Sequence, residues 1–116
     1  MRILFDQATP VPLRKYLSGH LVRTAAQQGW DQRQNGDLLE AAEAAGFDLL
    51  ITTDQNMRYQ QNLSGRRIAL VILGKGNWPL IKPHAERVVM AVNQAHPGSF
   101  EEVEIPFLQE AESGQP

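Results

Sequence analysis

Two stretches constrain this chain most, DLLIT at 48–52 and IALVIL at 68–73. After the leading aspartate, both are apolar with almost no alternation. Successive side chains of a strand point to opposite faces, so a strand on a one-sided sheet alternates apolar and polar residues. An uninterrupted apolar strand has to be covered on both faces, as in a parallel sheet with a layer on each side. Two further runs read as strands: Arg2 to Phe5, stopped by Asp6, and the weaker His20 to Thr24. Phe100 to Ile105 alternates apolar and acidic residues, the pattern of a half-exposed edge strand whose charges discourage sheet-to-sheet pairing.

Helical stretches fall between these runs. Pro10 to Leu17 suits a short helix with Thr9 as N-cap and Pro10 at the first position. Gly36 to Ala45 is rich in strong helix formers, stops at Gly46, and places Leu38, Leu39, Ala42 and Ala45 on one face. Gln55 to Leu63 suits another short helix. A longer one is expected from Pro79 or Pro83 to Ala95, with Val88, Val89, Val92 and Ala95 inward and Glu86, Arg87 and Asn93 outward. Strands alternating with helices give an α/β fold with a mostly parallel sheet. Right-handed crossovers restrict the topology, and the expected strand order is 2-1-3-4 with the fifth strand at an edge. The domain is expected over residues 1–107, with a flexible polar tail at 108–116.

At 116 residues, with 42% hydrophobic and 21% charged residues, the composition is that of one globular domain. A net charge of −2 gives no bulk attraction to nucleic acid, so any such contact needs a local patch. The absence of cysteine excludes disulfides, thiolate zinc sites and cysteine nucleophiles. The opening MRILFDQ is too short for a signal peptide and no run has membrane-spanning length. The expectation is a cytoplasmic protein with no membrane partner.

The strand order places Asp6 and Asp54 at the carboxyl ends of adjacent central strands, where open α/β sheets bind ligands. An aspartate at a strand end also starts turns and caps helices. Two carboxylates side by side repel unless a proton or cation lies between them. A hard ion such as Mg²⁺ serves with few carboxylates and several waters, and it supports phosphodiester hydrolysis. Asn35 and Asp37 begin the best helix, where an N-cap and a carboxylate at the positive end are equally natural. Asn56 can offer an amide oxygen but no charge. Of Thr52 and Thr53, strand alternation turns one to the core and one to the crevice. On the following helix Arg58 and Asn62 share a side with Gln61. Arg58 suits a phosphate and Tyr59 a stacked base, unless this is simply a solvated face with Tyr59 packed inward. Arg14, Lys15, Arg23, Arg33, Arg66 and Arg67 are basic residues spread along the chain. The histidines have no metal-ligand spacing. GKGN at 74–77 lacks the full phosphate-loop pattern.

The combination of ILFD at the start, LLEAAEAAGFDLLITTDQN in the middle and the IALVIL strand resembles the small bacterial PIN-like domains related to toxin nucleases of toxin–antitoxin systems. The likeness runs over about residues 1 to 105. It implies a compact three-layer fold with a mostly parallel central sheet and an acidic cluster around Mg²⁺ or Mn²⁺ that cuts RNA. Asp6 matches the acid after the first strand and Asp54 the acid of the T-x-D motif. Asn35 stands where the family commonly has an acid, with Asp37 two residues later. Asn56 stands where it often has another.

The resemblance therefore implies a metal-dependent endoribonuclease, a hydrolase. Asp6 and Asp54 would hold the ion, and Asn35, Asp37 and Asn56 would complete the site. Arg58, Tyr59 and Asn62 would meet RNA. The two amides favour an alternative, a catalytically degenerate module that binds RNA or an antitoxin-like protein without cleavage. A homodimer whose second subunit completes the site also stands open. A phosphoacceptor receiver domain is a third class. Against it, Gln7 follows Asp6 where receivers carry a second acid, and Gly74 stands where they have a hydroxyl.

Overall fold

The computed structural model describes residues 1–33, 35–57 and 65–106, with the backbone alone at Asn35. The strands are β1 (Arg2–Phe5), β2 (Leu21–Thr24), β3 (Leu49–Thr52), β4 (Ala69–Leu73) and β5 (Phe100–Val103). They form a five-stranded sheet in the order β2-β1-β3-β4-β5, and every pairing is parallel. The expected order holds, with β5 at the edge beside β4.

Alternation along each strand divides the interior in two. Ile3 and Phe5, Leu49 and Ile51, and Ala69, Val71 and Leu73 pack on one face. Leu4, Leu50, and Leu70 with Ile72 pack on the other. Both faces of β1, β3 and β4 are therefore dry, which is why β3 and β4 are apolar at nearly every position. The first face is covered by a 3₁₀ helix (Val11–Tyr16) through Leu13. It is also covered by α2 (Trp78–Ile81) through Ile81 and by α3 (Ala85–Gln94) through Ala85, Val88, Ala91 and Val92. The second is covered by α1 (Asn35–Ala44) through Leu38, Leu39 and Ala42, with Phe47 and Met57 beside it. This is a three-layer α/β architecture, consistent with the PIN-like arrangement expected. Among the described residues no helix is long and apolar enough to cross a membrane.

The helix α1 ends as its sequence expects. Gly46 has φ +89°, the Gly46 N–H donates to the Glu43 carbonyl, and the Phe47 N–H donates to the Ala42 carbonyl. This is a Schellman motif, with glycine in the left-handed conformation and an apolar residue after it packing back on the helix.

Several expectations are corrected. The first helix is a 3₁₀ turn, its N-cap position is Pro10, and no side chain caps it. Thr9 is instead buried and bonded to Asp6. Ala45 is exposed, just beyond the helix. The long helix before β5 is broken at Lys82–His84 into a 3₁₀ turn, because Pro83 has no N–H to continue an α-helical ladder. Right-handedness also fails among the described crossovers. The β2→β3 connection steps toward β5 with α1 on one face, and β4→β5 steps the same way with α3 on the other. The two crossovers therefore have opposite hands, against a strong general bias. Arg58, Tyr59, Asn62, most of the helix expected at 55–63, and the tail at 108–116 lie outside the described residues.

Candidate metal centre

Strand register brings the two aspartates to one side of the sheet. Leu4 pairs with Leu50, and both point to the α1 face. Two residues further, the period of a strand returns Asp6 and Thr52 to that same side. Asp54 lies two residues beyond Thr52, separated from the strand end by Thr53. The chain thus has Asp6 directly after β1, and Asp54 two residues past the end of β3.

Asp6, Thr52 and Asp54 line a cavity of about 260 Å³ at the carboxyl ends of β1 and β3, with Leu38, Leu50 and Met57 as its apolar wall. Asp31 and Arg33, from the loop entering α1, also line it, as do Gln7 and Ala8.

Asp6 is held from two sides. Its Oδ1 accepts from the Thr9 backbone N–H at 2.9 Å and from the Thr9 hydroxyl at 2.5 Å. Its Oδ2 accepts from the Thr52 hydroxyl at 2.6 Å. Thr9 and Thr52 are 3% and 2% exposed, so these bonds are shielded from competing water. The Thr52 hydroxyl also accepts the Asp54 backbone N–H at 3.0 Å. One buried hydroxyl therefore couples the two aspartates. The Asp54 side chain makes a turn of its own, Oδ1 accepting the Asn56 N–H at 3.0 Å. Turn chemistry and cavity lining coexist in this residue.

The acceptor count shows what remains. Each carboxylate oxygen offers two lone pairs. Asp6 Oδ1 is filled, and Asp6 Oδ2 keeps one. Among the described residues Asp54 Oδ1 keeps one and Oδ2 keeps both. These are hard oxygen donors of the type that serve Mg²⁺ or Mn²⁺ together with waters. Among the described residues no three His, Cys, Asp or Glu side chains converge to hold a metal ion. The donor set is two carboxylates, sufficient for an ion that retains much of its hydration.

The remaining expected site residues do not join them. Asp37 is on the outside of α1, its side chain 60% exposed and paired with Arg33 at 3.1 Å. It does not stand in for the acid that the resemblance led us to expect at position 35. Asn56 is exposed and contributes its backbone N–H to Asp54, outside the cavity lining. The side chain of Asn35 is not among those described.

Sequence reasoning missed Thr9, Asp31 and Arg33. Thr9 was legible as D-x-x-T, a spacing at which an aspartate accepts from the threonine backbone and hydroxyl. Asp31 and Arg33 carry a weaker signal, their place in a connection that enters a helix beside the carboxyl end of the sheet. Protein-family models, curated proteins and solved structures yield no match to the chain.

Proposed function

We propose that the chain is a Mg²⁺- or Mn²⁺-dependent ribonuclease of the toxin–antitoxin type, hydrolysing RNA phosphodiester bonds at the Asp6–Asp54 cavity. The observation that carries this is the convergence of two carboxylates with open lone pairs at the ends of adjacent central strands. A bound divalent ion would supply charge stabilisation at the phosphoryl group and an activated water. Thr9 and Thr52 fix the Asp6 carboxylate in one rotamer, as partners of ligating carboxylates do. The Asn56 N–H orients Asp54. The apolar wall of Leu38, Leu50 and Met57 limits water and strengthens local electrostatics.

Incubation of the purified protein with single-stranded RNA and Mn²⁺ tests this. Cleavage is expected in Mn²⁺ or Mg²⁺, abolished by EDTA and reduced to background in Asp54→Asn. Cleavage that persists in Asp54→Asn would contradict the assignment.

A second reading is a module of the same fold that binds RNA or an antitoxin-like protein without cutting. It is favoured by the two-carboxylate donor set and by the amides at Asn35 and Asn56. Retention of intact RNA by the wild type in Mn²⁺ would select it.

A further inference from the structure

Arg33 brings the only described cationic side chain into the lining of the Asp6–Asp54 cavity. Arg33 is held at three points, two of them on the guanidinium. Its Nη1 donates to both oxygens of Asp37 at 3.1 Å, its carbon lies 5.9 Å from the centre of the Trp30 ring, and its backbone N–H donates to the Trp30 carbonyl at 2.9 Å. Trp30 is in turn packed edge-on against Phe47 at 6.2 Å, within the α1-side core. This is an exposed arginine with two described side-chain neighbours, Asp37 and Trp30. Among the described residues Nε and Nη2 have no partner, and the side chain is 42% exposed, so the guanidinium retains donors for a ligand.

The charges around it identify the ligand. Three carboxylates (Asp6, Asp31 and Asp54) share the cavity lining with one guanidinium, whose own charge is already matched by Asp37, so the excess is three negative charges. A divalent cation removes most of that excess, and an oxyanion that ligates the cation can then also meet the open donors of Arg33. Planar guanidinium groups match the oxygens of a phosphate in two-pronged hydrogen bonds. We infer that Arg33 is a phosphate-binding residue of this cavity, held ready by Asp37 and Trp30 to contact a phosphodiester of single-stranded RNA. The inference rests on the nuclease-site reading of the cavity, and assigns the contact to a residue before α1.

The test is fluorescence anisotropy with a labelled, nuclease-resistant 2′-O-methyl phosphorothioate oligoribonucleotide, in Mn²⁺ and in EDTA. Calorimetric titration of Mn²⁺ alone runs beside it. Arg33→Ala is expected to weaken oligonucleotide binding about tenfold or more, the value of a charge-assisted hydrogen bond, with Mn²⁺ affinity retained. Arg33→Lys restores part of the loss, since it keeps the charge and loses the fork. Lys82→Ala, which removes a positive charge at an exposed position outside the cavity, leaves binding unchanged. Equal binding by Arg33→Ala and the wild type overturns the inference, as does a wild type that does not bind the oligonucleotide. Arg33-dependent binding that is equal in EDTA and Mn²⁺, with no Mn²⁺ uptake, upholds Arg33 and overturns the metal reading alone.

Discussion

Asp6 and Asp54 line one cavity on different terms. Asp6 accepts three hydrogen bonds from Thr9 and Thr52 and is part of the packing. Asp54 accepts one, from an adjacent turn. The two should therefore respond differently to the same substitution. In Asp6→Asn the amide oxygen can keep the two Thr9 bonds, but the NH₂ forces the Thr52 hydroxyl to give up donating to this side chain and every remaining bond loses its charge assistance, at a cost of about 1–3 kcal/mol. In Asp54→Asn the amide oxygen can still accept the Asn56 N–H, and one carboxylate charge leaves the cavity. Thermal unfolding in EDTA should show Asp6→Asn melting several degrees below the wild type and Asp54→Asn unchanged or higher. Equal destabilisation by the two would contradict this division of roles. The residue scale is also where the sequence was hardest to read. Thr9 before Pro10 has the local appearance of a helix cap, and a tertiary bond to Asp6 outcompetes that role. Arg33 looked like one of several scattered cations, and only the fold places it beside the aspartates.

At the scale of elements, legibility followed burial. The apolar runs ending at Thr52 and Leu73 identified β3 and β4 within a residue, because both faces of each strand are covered. Gly46 marked the end of α1, because only a residue free of a Cβ takes its φ of +89° without strain. The helix before β5 was less legible. Its apolar spacing runs on through Pro83, where the α-helical ladder breaks. The last turn of α1 carries another device that no local pattern reveals. Glu43 accepts from the Arg67 backbone N–H at 2.7 Å and from the Arg66 guanidinium at 2.6 Å, tying α1 to the segment that enters β4. The Arg67 N–H bond is the main cause that holds the Glu43 carboxyl below its ordinary 4.5, with Arg66 assisting and partial burial opposing. A carboxyl whose pKa is lowered by folding contributes stability above its unfolded-state pKa. That stability is lost as pH falls below about 4.5 and through the folded-state value. Glu43→Gln should therefore be less stable than the wild type at pH 7, and the difference should shrink as pH falls below about 4.5 and through the folded-state value. Urea midpoints at pH 7 and along an acid series measure it, and a constant difference would contradict the assignment.

On the scale of the whole molecule, the site follows from strand order. The chain leaves β1 for β2 through the 3₁₀ helix on one face of the sheet and arrives at β3 from α1 on the other. The carboxyl ends of β1 and β3 are thus adjacent with their connections diverging, the arrangement that opens a crevice in an α/β sheet. Asp6, directly after β1, and Asp54, two residues past the end of β3, line one cavity at that crevice. The central claim is that these two carboxylates share a divalent ion. Calorimetric titration of the wild type with Mn²⁺ tests it most directly, with Asp6→Asn and Asp54→Asn alongside. The account predicts saturable binding by the wild type that either substitution weakens strongly. A wild-type titration indistinguishable from both variants would contradict it.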